Sequence, residues 1–318
     1  MSPRAYIAGL VLAVAVPTAN AAPIAYAEAV APSAYGKNQA WLYSIDLATR
    51  VATPVGPSVQ SPNGLVNTLF PFNVRGLSFD PSGQLYAVVE DLQVLVKVNR
   101  ATGVASLVGP LNLSGPGVAN ASSLDLSMTV TCDGKAWLAS GTTGNFWSVS
   151  LANGATGLIG ALGSNPITGL AAQGTTVFAS GSQGNQKLYT INTATGAATA
   201  VGAYGGSDGA AHAIWPAFDA TGQLWAILNN NPPTLDLWSN LATIAPSGAL
   251  SKIGTITGGQ QLQNVGLNGL AIAPPVCTTP VGPSNTPAAP ALSPSALLCL
   301  ILLLICGARL PLARRTQR

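Results

Sequence analysis

A strand-turn-strand unit recurs five times along this chain, and that repetition narrows the fold more than any other feature of the sequence. Trp41-Leu42-Tyr43-Ser44-Ile45-Asp46-Leu47-Ala48-Thr49, followed by Val55-Gly56, returns as Leu188-Tyr189-Thr190-Ile191-Asn192-Thr193-Ala194-Thr195-Gly196, followed by Val201-Gly202. Weaker copies run over 95–109, 146–160 and 237–254. Each copy is an alternating apolar strand, a turn such as Ala101-Thr102-Gly103 or Ala152-Asn153-Gly154, and a second strand that ends in an apolar residue and glycine. That pattern is a β-hairpin.

A second pair of strands precedes each hairpin. Arg75-Gly76-Leu77-Ser78-Phe79-Asp80-Pro81-Ser82-Gly83-Gln84-Leu85-Tyr86-Ala87 is echoed by Ala217-Phe218-Asp219-Ala220-Thr221-Gly222-Gln223-Leu224-Trp225-Ala226, with shorter echoes over 130–139 and 168–179. One full unit is therefore four strands. The closing glycines, Gly56, Gly109, Gly160, Gly202 and Gly254, succeed one another at 53, 51, 42 and 52 residues. A four-stranded unit of this length is a propeller blade. Asn268-Gly269-Leu270-Ala271-Ile272 reads as an innermost strand with no hairpin after it, whereas 24–29 and the Trp41 hairpin lack such a strand before them. Joining the two completes a blade. The predicted fold is an all-β propeller of about five antiparallel four-stranded blades over 22–275, its ring closed by pairing N- and C-terminal strands; a divergent sixth blade in 57–73 or 110–123 is left open by the sequence. Composition agrees: only 7% of residues are charged, and 35 Gly and 24 Pro suit short strands and tight turns.

The two ends read as addresses. Residues 1–21 have the form of a secretory signal, with Arg4, an apolar stretch from Ala5 to Val16, and Ala19-Asn20-Ala21 as a small-x-small cleavage site. At the other end, a Pro-rich linker over 276–294 leads to an apolar segment over 295–312, predicted as a transmembrane helix, and to a basic tail over 313–318, predicted to stay in the cytoplasm. The expected location is outside the cytoplasmic membrane, with the membrane itself as a partner through that helix. Ala289-Pro290-Ala291-Leu292-Ser293, together with the apolar run and the arginines after it, resembles the sorting segments of bacterial exosortase-type surface proteins, in which a short Pro-containing motif precedes a membrane helix and an Arg-rich tail. That resemblance implies a sorting protease as partner. Ala replaces the Ile and Thr of the Ile-Pro-Thr-Leu-Ser subtype, and Pro294 and Ser295 stand at its acidic and Trp positions.

Arg4, Arg309, Arg314, Arg315 and Arg318 supply most of the positive balance, so the middle of the chain carries eight Lys and Arg against all ten Asp and Glu. A nucleic-acid footprint needs a basic stripe on the folded domain, and no nucleic-acid partner is expected. Cys299 and Cys306 lie in the C-terminal apolar run, leaving Cys132 and Cys277 as the pair available for a disulfide in an oxidising compartment.

The strands of the form Leu-Tyr-x-Ile-Asp-x-x-Thr-Gly resemble those of bacterial secreted propellers, including the uncharacterised DUF4394-like proteins and, more distantly, quinoprotein-like and gluconolactonase-like propellers. The resemblance spans about 24–274 and implies the fold rather than a chemistry.

In a propeller the tight turns share one face and the longer loops the other. Loops carry function more often than strands, so a ligand is expected on the loop face around the axis. Aligning the innermost strands makes Arg75, Thr168, Ile214 and Asn268 equivalent there, with Leu126 in the third blade and Asp125 beside it. Asp208 and His212 lie in the loop entering the fifth blade, and Trp215 comes just after. Arg75, Asp125, Asp208, His212, Trp215 and Asn268 are the candidate ligand-binding residues. Trp41, Trp137 and Trp225 fall on alternating core positions of strands, and Asp46, Asp80, Asp133 and Asp219 fall at turns, where backbone hydrogen bonding accounts for them.

Two functions fit. The first is a non-catalytic binding or structural module for an extracellular glycan or protein. The second is a metal-dependent hydrolase or lactonase, which needs several oxygen ligands and a carboxylate base; Asp125, Asp208, Asp91, Asp236 and Glu90 are the carboxylates available. The chain has a single histidine, no Gly-x-Ser-x-Gly elbow, no His-Glu-x-x-His helix and no phosphate loop. The balance favours the binding module, with no catalytic residue, metal or cofactor assigned.

Overall fold

The structure is a computed structural model that describes residues 23–30, 40–57, 74–163, 166–181, 184–205, 211, 213–229, 239–258, 266–273 and 277. The signal-like segment, the linker apart from Cys277, the segment 295–312, the basic tail, Asp208, His212 and Asp236 lie outside the described residues.

Alternating apolar residues and Asp/Asn-Gly turns produce twenty strands in five four-stranded antiparallel sheets. Blade 1 contains β1 (Ile24–Val30), β2 (Ala40–Asp46) and β3 (Val51–Pro57), with β20 (Leu267–Ala273) as its innermost strand. Blade 2 is β4 (Val74–Phe79), β5 (Leu85–Val89), β6 (Val94–Val98) and β7 (Ala105–Pro110). Blade 3 is β8 (Leu126–Val130), β9 (Ala136–Ser140), β10 (Asn145–Val149) and β11 (Thr156–Ala161). Blade 4 is β12 (Ile167–Gln173), β13 (Thr176–Gly181), β14 (Lys187–Ile191) and β15 (Ala198–Ala203). Blade 5 is β16 (Ala213–Phe218), β17 (Leu224–Asn229), β18 (Ser239–Ile244) and β19 (Leu250–Thr255).

The first strands touch in cyclic order, β20 to β4 to β8 to β12 to β16 and back to β20, which makes the array a closed ring of open sheets. Blade 1 is completed by β20 pairing antiparallel with β1. No sheet closes on itself, so the ring is held by contacts between blades. Five apolar clusters fill the five interfaces, for example Tyr86, Met128, Leu138 and Trp147 between blades 2 and 3. An inner blade strand is thus covered on both faces: all five residues of β5 are buried, whereas the outermost β15 is mostly exposed.

The apolar-Gly signature of the repeat has a defined structural meaning. In every blade the outermost strand carries one extra residue just before the closing glycine, Val55, Val108, Ile159, Val201 or Ile253, as the register shifts show. This β-bulge turns the strand end toward the next blade. There each glycine lies against the hairpin turn of its neighbour: Gly56 on Thr102-Gly103, Gly109 on Asn153-Gly154, Gly160 on Thr195-Gly196 and Gly202 on Ser247-Gly248. A Cβ at any of these positions would run into backbone. At the seam between blades 5 and 1, Gly254 instead meets Arg50, whose φ of 61° occupies the left-handed conformation that glycine has elsewhere. Backbone hydrogen bonds from Ala52 N to Thr257 O (2.7 Å) and from Thr257 N to Arg50 O (2.9 Å) fasten this seam.

The turns expected to be structural are so. Asp80 Oδ1 accepts from Ser82 N (2.9 Å), Ser82 Oγ (2.6 Å) and Gln84 N (2.9 Å). Asp219 repeats the arrangement with Thr221 and Gln223, and its Oδ2 also accepts from Trp225 Nε1 (2.8 Å). Burial pushes the Asp219 carboxyl up, but the hydrogen bonds from Thr221, Trp225 and Gln223 outweigh it and hold the group below its ordinary value. Cys132, just past β8, and Cys277, just past β20, form a disulfide with a Cα–Cα distance of 4.9 Å.

The expectation of a transmembrane helix does not hold. Among the described residues no helix is long and apolar enough to cross a membrane, and the helical content is a single 3-10 turn, Val118–Asn120. Within the blades a turn interrupts every apolar run after five to seven residues, far short of the ~20 that a spanning helix needs; the segment 295–312 itself lies outside the described residues. Membrane anchoring through the segment 295–312, and the membrane as a partner, are therefore withdrawn.

The blade seats and the Asp219 turn each set a measurable expectation. Gly109→Ala keeps an ordinary backbone conformation but forces a Cβ against the turn of blade 3; it is expected to cost about 1–3 kcal/mol, read as a lower midpoint in urea. Since the folded-state pKa of Asp219 is depressed, its stabilising share is complete above the ordinary value of 3.8 and is lost as pH falls through the lower folded value. Asp219→Asn is expected to lower Tm at neutral pH and to flatten its fall in acid; an acid limb as steep as the parent's would refute the assignment.

Candidate functional site

The loop-face end of the axis is built by the inner strands, and their register decides which side chains meet there. In each blade the second strand carries an aromatic at one repeat position, Tyr26, Tyr86, Trp137, Phe178 or Trp225. The residue two places further on pairs with Asn268, Arg75, Ser127, Gly169 and Trp215, respectively. The expected equivalence of Ile214 and Leu126 with Arg75 is therefore one residue off. Blades 1, 2 and 4 each have an extra residue in the inner strand at Asn268-Gly269, Arg75-Gly76 and Thr168-Gly169, whereas blades 3 and 5 pair without interruption. Gly76 and Gly269, with φ of 61° and 68°, supply the left-handed turn that such a bulge uses. Ile214 and Leu126 are buried between blades, and Trp215 takes the axial place opposite Arg75.

Arg75 is the centre of the cluster. Its Nε lies 3.1 Å from Glu90 Oε2, its Nη2 lies 3.4 Å from Asp125 Oδ1, and its guanidinium carbon stands 5.7 Å from the ring centroid of Trp215, which comes from a blade that is not its neighbour. Trp215 is 2% exposed, and its Nε1 has no hydrogen-bond partner among the described residues. The arginine and the indole meet across the axis on this face.

Glu90, immediately after β5, is a structural anchor. Its carboxylate accepts from Ser123 Oγ (2.7 Å), from Leu124 N (2.8 Å) and Asp125 N (3.1 Å), and from Leu126 N (3.3 Å). Those bonds hold the loop that delivers Asp125, whose φ of 48° is rare outside glycine and turns its side chain back toward Arg75. Asp125 Oδ2 accepts from Thr142 Oγ1 (3.3 Å), and the side chain remains 47% exposed. Asn268 is half-buried on the same ring. The structure thus brings Arg75, Asp125, Trp215 and Asn268 to one end of the axis and adds Glu90, which the sequence offered only as a candidate metal ligand.

Further along the axis the described inner strands stand close together. Neighbouring inner strands are joined by hydroxyls: Val130 N donates to Ser78 Oγ (3.0 Å), Leu170 N to Ser127 Oγ (2.8 Å), and Ile214 N to Thr168 Oγ1 (3.2 Å), while Ser180 Oγ from the second strand of blade 4 donates to Ile214 O (2.6 Å). What remains is a cavity of about 50 Å³ at the tight-turn end, walled by all five inner strands and bordered by Cys277. That is water-sized, against the ~300 Å³ of a small ligand site. Among the described residues no three His, Cys, Asp or Glu side chains gather to hold a metal ion.

No family model matches the chain, and no curated protein matches it. Among solved structures the chain is similar to TolB from Acinetobacter baumannii, at 12% identity over 78% of this chain and 66% of that one, with a TM-score of 0.44; it spans just under two thirds of that protein. It is also similar to a catalytically inactive virginiamycin B lyase from Staphylococcus aureus with quinupristin, at 12% identity over 77% of each chain (TM-score 0.42), and to a chain of the nidogen/laminin complex, at 11% identity over 79% and 98% (TM-score 0.47). These likenesses assign no family, ligand or activity.

Proposed function

We propose that this chain is an exported, non-catalytic propeller whose loop face binds an extracellular glycan or protein through the rim of Arg75, Asp125 and Asn268, with Asp208 and His212 in the adjoining loop. The observation that carries the reading is the state of the axial carboxylates. Glu90 commits its oxygens to three backbone N–H groups, a serine hydroxyl and Arg75. A general base or metal ligand needs a carboxylate oxygen facing substrate, and this one faces the protein. Half-exposed Asp125 and the edge of Arg75 are left to meet a partner, as paired polar groups that orient rather than react. Export is supported by the signal-like segment 1–21 and by the Cys132–Cys277 bond, which suits an oxidising compartment.

Thermal unfolding of the full chain with calcium, magnesium, zinc or EDTA is expected to give one and the same Tm. A shift of several degrees with one ion, removed by Asp125→Ala, would replace this reading with a metal-dependent hydrolase. On an array of neutral glycans, Asp125→Asn is expected to lose signal at an unchanged Tm. Arg75→Ala should lose signal and also about 1–3 kcal/mol of stability, because it strands the buried Glu90. Thiol labelling of protein recovered from an oxidising compartment should leave Cys132 and Cys277 unmodified until reduction.

A further inference from the structure

The repeat supplies an internal standard for each surface position, and blade 2 departs from it twice in one place. The residue of the third strand opposite the blade aromatic is Ser44, Ser148, Thr190 or Thr243 in blades 1, 3, 4 and 5, and Lys97 in blade 2. Three residues on, in the hairpin turn, stand Leu47, Leu151, Thr193 and Pro246, against Arg100 in blade 2. Both cations line one groove of about 400 Å³ on the tight-turn side, away from the Arg75 cluster.

Nothing in the fold requires them. Four blades form the same strand and turn without a charge at either position, and among the described residues neither Lys97 nor Arg100 forms an ion pair. Lys97 lays its ammonium 5.8 Å from the Tyr86 ring, which fixes its direction. No carboxylate lines the groove; Asp80, in the adjoining turn, is engaged by Ser82 and Gln84. In a chain with only 7% charged residues, two unpaired cations on one groove are a concentrated positive site.

The rest of the lining specifies more than charge. Gln84 Nε2 donates to Leu85 O (2.9 Å) and Val98 O (3.2 Å), leaving its amide oxygen to accept from a ligand hydroxyl. Ser106 offers a hydroxyl, and Val104, 45% exposed, offers an apolar floor. A bare inorganic anion fills a small part of such a groove and leaves Val104 in water. We propose that the blade 2 groove binds an acidic saccharide: carboxylate or sulfate groups on Lys97 and Arg100, ring hydroxyls on Gln84 and Ser106, and the C–H face of the ring on Val104.

The test is calorimetric titration of the full chain with an oligogalacturonate at low ionic strength. Binding is expected for the acid form and absent for its methyl ester, weakening as salt is raised. The double variant Lys97→Thr/Arg100→Thr, which installs residue types that blade 4 carries at these positions, is expected to keep the parent Tm and to lose at least tenfold in affinity. Asp125→Asn should bind as the parent does, which separates this groove from the loop face. Equal affinity in the double variant, no binding by the parent, or sodium sulfate or polyglutamate binding as tightly as the oligogalacturonate would each overturn the proposal.

Discussion

The ring depends on how closely five backbones can approach one another at its rim. Since no sheet closes on itself, blade must seat on blade. The seats are the contacts between a bulged strand end and the neighbouring hairpin turn, where glycine faces glycine four times out of five. A single methyl group there would hold the outer strands apart and open the wedge between blades, exposing the apolar clusters that lie further in. The fifth seat, Gly254 on Arg50, is where the chain's two ends come together, and there backbone hydrogen bonds to Thr257 do what a turn glycine does elsewhere. The disulfide adds a covalent link between the chain just past β20 and the end of β8.

Close seating at the rim has its counterpart at the axis. Five inner strands meet through hydroxyls and glycines and leave a water-sized cavity between them, and at the loop-face end Arg75 and Trp215 meet across the axis. Among the described residues, the cavity walled by the inner strands has room for a water and not for a small ligand. The blades differ from one another on the faces.

Much of this was legible in the sequence because the repeat exposes it. The hairpins, the pairing of 24–29 with 268–272 and the structural role of Asp80 and Asp219 all rest on positions that recur. The inner strands were legible only to within one residue. Arg75, Thr168 and Asn268 are each followed by glycine while Ser127 and Trp215 are not, and that difference is the mark of a bulge present in three blades and missing in two. Alignment by residue type passed over it and paired Ile214 with Arg75. Glu90 was hidden for another reason: its partners are backbone N–H groups of a loop 34 to 36 residues further on, and backbone donors leave no trace in a sequence. The C-terminal apolar segment was read from its hydropathy, the basic tail after it and a resemblance to sorting segments, none of which is a position in the repeat.

In a repeat protein the informative residue is the one that breaks its own column. Positions shared by all blades, such as the second-strand aromatics or the closing glycines, are explained by packing, because each copy has the same neighbour to fit. A residue that stands alone in its column cannot be explained in that way, since the other copies fold without it. Trp215 and Arg75 break their column and are accounted for by the axis across which they meet. Arg50 breaks its column and is accounted for by the seam. Lys97 and Arg100 break two columns side by side, contact no carboxylate among the described residues, and close nothing in the fold. Packing within the blades accounts for neither of them, and that is the ground for assigning both to the blade 2 groove.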